Sequence, residues 1–429
     1  MRLLIITQYF WPENFRINDL AREFYKRGHT VTVLTGLPNY PAGSFSSGYS
    51  LNGPYREQYE GVDVIRCPLI PRGSGSGMRL VLNYLSFAVS ATVRALLACR
   101  TSYDAIFVYE PSPVTVGLPA VALKLATKTP VLLWVLDLWP ESVLATQAIR
   151  SPLVLGWIEG MVRFIYRHCD RILVQSQAFV AHVERQLVRS ENIRYFPSWA
   201  ETIYEAADGR LPAPENVNFP EGFRVMFAGN VGAAQNFETI LTAAERLKSR
   251  RDIHWIIVGD GRMLSWVQAE VERRRLSGTV HLLGRHPLET MPAFFAQADA
   301  LLVTLRSEPI FALTIPGKVQ SYLASGRPII AALDGEGSRI IQEAEAGVVC
   351  PAESPEALAD AVVRLAETPK EARELMGRRG LEYYRAHFDR TMLLNQLEGW
   401  MKELMVTGGG TGLSASSELV LSSERGKRL

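Results

Sequence analysis

The residues with the clearest chemical potential form a short segment in the second half of the chain, Ile315-Pro316-Gly317-Lys318, which precedes a helical pattern. Pro316 suits the first turn of a helix, so the backbone N–H groups of Gly317 and Lys318 would be free at its N-terminus. A helix N-terminus favours an anion, and the Lys318 ammonium can neutralise the same phosphate. The segment predicts a phosphate-binding loop, with a solvated surface lysine as the alternative.

Three further glycine-containing loops occur in the same half of the chain, and each follows an apolar run typical of a strand. Glycine lets backbone N–H groups come close to a ligand. Open α/β sheets bind ligands at the carboxyl ends of their strands. A tight turn would explain any one loop alone, but four of them favour a nucleotide or sugar-nucleotide ligand. The three loops are Gly229-Asn230-Val231-Gly232, Gly259-Asp260-Gly261 and Gly284-Arg285.

Two acidic residues follow another apolar run in the first half, within the segment LLWVLDLWPESVL. A buried strand would deliver Asp137 at its carboxyl end, with Glu141 four residues further on. A carboxylate at that place can orient an acceptor hydroxyl or act as its base. Alternatively, Asp137 caps the helix that begins near Glu141.

The first loop of the chain, in QYFWPENFRINDL, lies between a predicted strand and a predicted helix but contains no glycine. It carries Trp11, Asn14 and Arg16 instead. Such a loop cannot wrap a pyrophosphate in bare backbone, so the first lobe needs another role. Trp11 would either anchor the loop by packing or stack on a sugar.

Apolar runs alternate with helical patterns along the chain. In the first half, strands are predicted at 3–7, 31–34, 105–109, 131–135 and 171–174, with helices near 113–126, 153–168 and 177–189. In the second half, strands are predicted at 224–230, 254–261, 279–284, 299–305 and 328–333, followed by helices within 355–405. Two successive βαβ series predict an α/β fold with two doubly wound, Rossmann-like lobes facing each other across a cleft.

The predicted domains follow from this alternation. The first lobe covers 1–200, a proline-rich and acidic linker covers 201–222, and the second lobe covers 223–385. Residues 386–405 form a C-terminal helix that can pack back on the first lobe. The Gly/Ser-rich tail at 406–429 is predicted to be disordered.

The composition is that of an ordinary globular protein of 429 residues with a net charge of +2. Its four cysteines form no CxxC pair, which argues against a disulfide framework or a zinc site and fits a reducing cytoplasm. The N-terminus does not resemble a signal peptide. No DxD-type motif stands at a strand end, so neither a metal nor another cofactor is expected. Nucleic acid is not an expected partner.

Several stretches together resemble the retaining glycosyltransferases of family 4, which have the two-lobed GT-B fold. The sequence is similar to the branch that builds bacterial O-antigen and capsule, including N-acetyl-fucosamine transferases. The matching stretches are the first 34 residues from Gln8, DLWPES, FPSWAE, FAGNVGAAQNFETIL, IVGDGRM and IPGKVQSYLASGRPII. The resemblance extends to about residue 400.

The resemblance implies transfer of a sugar from a nucleotide-diphosphate donor, expected to be a UDP-sugar, with retention at the anomeric carbon. The acceptor would be a lipid-linked saccharide on polyprenyl diphosphate. The first lobe would hold the acceptor through Trp11, Asn14 and Arg16, and the catalytic residues would be Asp137, Glu141 and Lys318. The implied donor-binding residues are Gly229, Asn230, Gln235, Gly259, Gly261, Arg285, Glu308, Ile315, Pro316, Gly317 and Ser321.

The sequence departs from the family pattern at the usual pair of glutamates, which contact ribose and sugar. Their positions hold Leu313 and Ser321, and Glu308 is the nearby candidate to replace one of them. Asn230 and Gln235 stand where the family has Arg and Lys. Leaving-group charge would then fall on Lys318.

Two further departures concern neighbouring residues. Arg262 and Arg306 are candidates to assist Lys318. Leu136 replaces the histidine that many members have before the Asp of the DLWPES-like stretch, which leaves Asp137 and Glu141 as the nearby acids.

Two rival functions fit the same pattern. A GT-B sugar-nucleotide epimerase would need acid and base groups around the sugar, for which Asp137, Glu141 and His286 are the candidates. A non-catalytic scaffold that binds a sugar nucleotide would explain the missing pair of glutamates.

The segment 78–100 is more apolar than a typical surface helix but carries four polar or basic residues, so it is a poor spanning helix. Its N-terminal half is predicted to lie on the bilayer, with Arg72 and Arg79 near lipid phosphates. Its C-terminal half is predicted to be a buried helix. The protein is therefore expected in the cytoplasm, peripheral on the cytoplasmic face of the inner membrane.

Overall fold

Two sheets carry the architecture of the protein, seen in a computed structural model that describes residues 1–73, 77–100, 103–145, 151–186, 191–204, 212–214 and 217–408. The first sheet has eight strands in the order β3-β4-β2-β1-β5-β6-β7-β8, all parallel except β3. The strands are β1 (Arg2–Ile6), β2 (Thr30–Gly36), β3 (Arg56–Tyr59), β4 (Val62–Cys67), β5 (Ala105–Glu110), β6 (Val131–Val135), β7 (Arg171–Val174) and β8 (Ile193–Tyr195).

Helices cover both faces of this first sheet, which explains why its central strands are continuous apolar runs. Leu3 to Ile6 of β1 are completely buried. The helices are α1 (Arg16–Lys26), α2 (Gly77–Ala98), α3 (Gly117–Thr127), α4 (Glu141–Ala145), α5 (Pro152–His168) and α6 (Gln177–Gln186).

The second sheet has six parallel strands in the order β11-β10-β9-β12-β13-β14. The strands are β9 (Phe223–Ala228), β10 (Ile253–Val258), β11 (Val280–Gly284), β12 (Ala300–Thr304), β13 (Ile329–Ala332) and β14 (Gly347–Cys350). The helices are α7 (Phe237–Arg246), α8 (Leu264–Arg273), α9 (Met291–Ala296), α10 (Pro309–Leu313), α11 (Gly317–Ala324), α12 (Glu336–Glu343), α13 (Pro355–Glu367), α14 (Lys370–His387) and α15 (Arg390–Gly408).

The predicted fold of two doubly wound α/β lobes is confirmed, and every predicted strand is present within a few residues. Strands β3, β4, β8 and β14 were not predicted from the sequence. Strands β3, β8 and β14 are edge strands of only three or four residues. Strands β3 and β4 also include charged residues, which weaken an apolar signal.

The last helix, α15, returns to the first lobe. Its Leu394, Leu397 and Met401 are fully buried in a cluster with Phe24 of α1. At its start, the Arg390 guanidinium binds both carboxylate oxygens of Asp19, at 2.7 and 3.0 Å. The helix extends three residues past its predicted end. The rest of the predicted tail, 409–429, and linker residues 205–211 and 215–216 lie outside the described residues.

Most of the larger apolar side chains of α2, apart from Phe87, lie on its outer face. Its buried face consists of Asn83, Phe87 and three alanines, and Asn83 there accepts a 2.7 Å hydrogen bond from Gln8. The prediction that its C-terminal half is buried is wrong, because Val89, Val93 and Leu97 are 66%, 51% and 79% exposed. Among the described residues, α2 is the one helix that is long and apolar enough to cross a membrane. Only 28% of its most apolar stretch of 18 residues is buried inside the protein.

Candidate active site

A cavity of about 620 Å³ lies between the lobes, at the carboxyl ends of β9, β10 and β11. It brings together nine of the residues predicted from the sequence. Eight come from the second lobe and one, Arg16, comes from the first. The nine residues are Arg16, Gly229, Asn230, Gly259, Gly261, Arg285, Gly317, Lys318 and Ser321.

The glycine loops in this cavity touch one another through their backbones. Gly229 and Gly259 both have positive φ angles, of 132° and 145°. A Cβ atom on Gly259 would lie 1.9 Å from the Gly229 carbonyl oxygen, and one on Gly261 would lie 2.3 Å from the Val231 carbonyl oxygen. Glycine is therefore required at Gly259 for both conformation and space, at Gly229 for its conformation, and at Gly261 for space.

Replacing Gly259 with alanine should separate the two loops. We expect a loss of about 1–3 kcal/mol in the free energy of unfolding from backbone strain and overlap, together with weakened nucleotide binding. Thermal unfolding and calorimetric titration with UDP measure the two effects. Gly284→Ala is the matched control, because Gly284 also has positive φ but has nothing within 4 Å of its Cβ position. Equal nucleotide binding in the two variants would contradict this account of the Gly259 loop.

Lys318 lies at the start of α11, and its ammonium lies 3.8 Å from the centre of the Phe227 ring. Burial lowers the pKa of Lys318 to about 7. No ion pair in the described part of the chain includes this lysine. A desolvated ammonium beside free helix N–H groups is suited to an anion, which would restore its charge.

Four predicted donor-binding residues do not line the cavity. Ile315 is buried in the core beneath α11, and Pro316 caps that helix. The Gln235 carbonyl accepts a hydrogen bond from Thr304. Glu308 occupies the N-cap position of α10 without a capping hydrogen bond from its side chain, which is exposed, so its predicted replacement of a family glutamate is not supported.

The two arginines predicted to assist Lys318 also lie outside the lining of the cavity. Neither Arg262 nor Arg306 lines the cavity, and the Arg306 backbone N–H binds the Ala234 carbonyl.

Several lining residues were missed. Glu201 is the last residue of the FPSWAE stretch that carries the family resemblance, and Tyr204 follows it in the connection between the lobes; no strand or helix pattern pointed either of them to the site. Asp260 lies inside a predicted glycine loop, and His286 was considered only for an epimerase. An apolar wall completes the cavity, formed by Leu288, Met291 and Phe295.

The first loop contributes Arg16 only. Its guanidinium donates a 3.0 Å hydrogen bond to Glu201 and lies over the Trp199 ring. Trp11 instead stacks on Tyr59, with ring centres 5.4 Å apart, and Asn14 is exposed. The structure therefore does not bring Trp11 and Asn14 to this cavity.

Asp137 lies in a second pocket of about 440 Å³ in the first lobe, formed mainly by the start of α2 and by α4. Trp139 donates a 3.2 Å hydrogen bond to its carboxylate. Burial raises the pKa of Asp137, although hydrogen bonds from Ser112 and Trp139 oppose that change. The neighbouring Glu110 is completely buried, and its pKa is raised well above its usual value.

The three predicted catalytic residues are thus not one cluster. Lys318 lines the cavity between the lobes, Asp137 lines the second pocket, and Glu141 lines neither. The described residues contain no group of three or more His, Cys, Asp or Glu side chains that could hold a metal ion.

Two family models match the chain, one for each lobe. The family described as glycosyl transferase 4-like domain matches residues 14–199, and the family described as glycosyl transferases group 1 matches residues 222–368. The chain is a family-4 glycosyltransferase with the GT-B fold.

Curated relatives of this glycosyltransferase match along most of its length. It is 28% identical to the probable glycosyltransferase WbjE of Pseudomonas aeruginosa over 300 residues, which is 68% of this chain and 72% of that protein. It is 24% identical to the putative colanic acid biosynthesis glycosyl transferase WcaI of Escherichia coli K12 over 338 residues, 76% of this chain and 82% of the relative.

Solved structures support the fold of the glycosyltransferase. Anabaena HepE in complex with UDP superposes with a TM-score of 0.67 at 13% identity, covering 94% of this chain and 100% of HepE. WaaG, a glycosyltransferase involved in lipopolysaccharide biosynthesis, gives a TM-score of 0.65 at 13% identity, covering 94% and 99% of the two chains.

Proposed function

We propose that this glycosyltransferase moves a sugar from a UDP-sugar to a saccharide linked to polyprenyl diphosphate, in the synthesis of a bacterial surface polysaccharide. The observation that carries the proposal is the Lys318 ammonium, buried without an ion-pair partner among the described residues beside close-packed glycine loops. The relative WcaI is named for colanic acid biosynthesis, and HepE was solved with UDP and with UDP-glucose. The first fact supports a role in polysaccharide synthesis, and the second supports a UDP-sugar as the donor.

The proposed reaction retains the anomeric configuration. The bond between the anomeric carbon and the donor's β-phosphate oxygen breaks while the acceptor hydroxyl oxygen bonds to that carbon from the same face. The hydroxyl proton passes to the departing phosphate, and UDP is released. Lys318 and the N-terminal amides of α11 stabilise the charge that develops on the diphosphate, with no metal required.

The proposal for Asp137 is that it orients the acceptor hydroxyl from the first lobe. Helix α4, which follows Asp137, packs against α10 of the second lobe, so the second pocket lies beside the contact between lobes. Closure of the lobes would bring this carboxylate toward the donor.

A transfer assay tests the function. Purified protein is incubated with UDP- and GDP-sugars, including UDP-N-acetyl-fucosamine as the donor of the resembled branch, and with polyprenyl-diphosphate saccharides. Mass spectrometry detects the product, and NMR gives its anomeric configuration. Turnover of a donor without acceptor would favour the epimerase, for which only His286 of the three candidates lines the cavity. Tight donor binding with no transfer would favour the scaffold.

The membrane part of the proposal rests on the outer faces of α2 and α5. On α2, Leu82 and Leu85 are 42% and 49% exposed, and on α5 Trp157 is 82% exposed. Helix α2 has no acidic residue. The same two helices carry Arg79 and Arg94 on α2 and Arg167 on α5, so an anionic bilayer on the cytoplasmic side of the inner membrane is the proposed partner.

Replacing Leu82 and Leu85 together with glutamate should weaken binding to anionic vesicles, because it removes apolar area and adds negative charge. Wild-type protein should pellet with phosphatidylglycerol vesicles at low salt and less at high salt. Leu375→Glu, on α14 of the other lobe, is the control, because the exposed fraction of Leu375, 40%, is similar to that of Leu82. A folded double variant that still pellets fully, or wild-type protein that never pellets, would refute the proposed surface.

A further inference from the structure

A carboxylate from the connection between the lobes lies in the donor cavity and contacts both lobes. The Ser321 hydroxyl of α11 donates a 3.2 Å hydrogen bond to Glu201 Oε2. Arg16, the first residue of α1, donates a 3.0 Å hydrogen bond to Glu201 Oε1. The Glu201 side chain remains 34% exposed. Because each carboxylate oxygen has two lone pairs, both oxygens can accept another hydrogen bond.

The cavity has two chemically different ends. At one end, the glycine loops and Lys318 offer backbone N–H groups and a positive charge. At the other end, the Tyr204 ring stacks on Phe295 at 5.2 Å, and Phe295 meets the Tyr322 ring edge-on at 5.4 Å. The first end suits a diphosphate. At the second end the three rings are no more than 5% exposed, so a flat base would pack on the apolar wall, where Leu288 is 40% exposed.

Glu201 is linked to residues of both ends, because its own carbonyl accepts a 3.1 Å hydrogen bond from the Tyr204 backbone N–H. Its partner Ser321 is three residues after Lys318 and just before Tyr322. Residues three apart on a helix are neighbours, with Cβ atoms roughly 5–6 Å apart. A nucleotide with its diphosphate at Lys318 and its base at the apolar wall would therefore have its ribose beside Ser321 and Glu201.

We propose that Glu201 binds the vicinal 2′- and 3′-hydroxyl groups of the donor ribose, each hydroxyl donating to one carboxylate oxygen. This inference rests on the proposed function, which places a nucleotide in the cavity. Glu201 thereby supplies a carboxylate that α11 itself lacks at Ser321. Since Arg16 holds Glu201 from the first lobe, ribose recognition depends on both lobes although the second lobe alone holds the diphosphate.

The test compares the affinities of UDP and 2′,3′-dideoxy-UDP by calorimetry, with the GDP pair as a second probe. Wild-type protein should prefer the ribose form by about 10- to 100-fold, as expected for hydrogen bonds to a charged acceptor. Glu201→Gln should reduce that preference to below about threefold, because the amide presents one acceptor atom instead of two. Glu272→Gln, an exposed glutamate on α8, is the control that should keep the wild-type preference.

Two further variants complete the test: one returns a carboxylate to the site, and one removes the hydrogen bond from Ser321 to Glu201. Combining Glu201→Gln with Ser321→Glu returns a carboxylate to the same place and should restore part of the preference. Ser321→Ala leaves Glu201 in place but removes its hydrogen bond to α11, so it should lower the preference for UDP over 2′,3′-dideoxy-UDP severalfold. This variant decides the test if Glu201→Gln does not fold.

The outcomes separate the two proposals. If wild-type protein binds neither UDP nor GDP, the proposed donor class is wrong. If it binds one of them without preferring the ribose form, or if Glu201→Gln and Ser321→Ala keep the full preference, donor binding stands and the role of Glu201 is overturned.

Discussion

Replacing Lys318 with alanine should lower kcat/KM by an amount equivalent to about 2–4 kcal/mol of transition-state stabilisation, mostly through kcat. The reason is that charge develops on the donor diphosphate as it leaves, and the Lys318 side chain lies against Gly229 in the cavity, where its ammonium can neutralise that charge. Steady-state kinetics with the donor identified in the transfer assay measure the change.

Two variants separate charge from side-chain volume and from general effects. Lys318→Met keeps most of the volume over Phe227 and should be nearly as impaired as Lys318→Ala. Lys370→Ala, at the exposed start of α14, should behave like wild type. An unchanged kcat/KM in Lys318→Ala would remove this lysine from the site.

The same lysine should make diphosphate binding depend on pH. Its pKa in the free protein is about 7, so a large part of the population is neutral above that pH. A bound diphosphate favours the charged form and raises the pKa, so binding takes up a proton. We therefore expect UDP affinity to fall as pH rises above 7, and proton uptake to disappear in Lys318→Met. Calorimetry in buffers of different ionisation enthalpy measures the uptake.

The stability of the unliganded protein should show the opposite trend. The folded-state pKa of Lys318 lies below its usual value of 10.5, so between about pH 7 and 10.5 the unfolded chain binds more protons. The contribution of Lys318 to the free energy of unfolding should therefore rise with pH in that window. The difference between wild type and Lys318→Met, measured by denaturant unfolding, isolates it.

Replacing Asp137 with asparagine should lower transfer by at least about 100-fold while donor affinity stays near wild type. Asp137 lies in the second pocket, away from the residues that would hold the nucleotide. Folding should be retained, because burial already disfavours the charged carboxylate and asparagine keeps its size and capping ability. Transfer rate, UDP affinity and melting temperature are measured on the same preparation.

The pH profile gives a second check on Asp137. Because burial raises its pKa, the acid limb of kcat/KM in wild type should lie at higher pH than for an ordinary aspartate, and should be absent from the residual activity of Asp137→Asn. Asp104→Asn, at a surface ion pair with Arg2, is the control. A lower melting temperature with unchanged activity per folded molecule would assign Asp137 the capping role instead.

The strands and the glycine loops were predictable because one local cause governs each of them. A strand covered on both faces must be apolar throughout, as Val131 to Val135 are, and positive φ with backbone contact admits only glycine, as at Gly259. These local rules gave both lobes and most of the glycine end of the cavity. They could not give Glu201, which lies outside any strand or helix pattern and reaches the cavity through contacts with residues 185 and 120 positions away.

The orientation of α2 shows the same limit. Apolar residues surround this helix in the sequence, so periodicity cannot decide which face is buried. The decision comes from tertiary hydrogen bonds: Asn83 must face inward to meet Gln8 and the Ile70 carbonyl, and this turns Val89 and Leu97 outward. The prediction that Glu308 binds the donor has a related weakness: Glu308 is close to the site in sequence, but it does not line the cavity.

The return of α15 to the first lobe has a consequence for biosynthesis on the ribosome. Leu394, Leu397 and Met401 complete a core that otherwise consists of residues from the first half of the chain. The nascent first lobe therefore emerges with an apolar surface beside Phe24 that stays uncovered while the entire second lobe is translated. Because α15 follows the second lobe in the chain, that surface is covered only after the second lobe has been translated. The second lobe, whose own core needs no residue of α15, can fold before the first is complete.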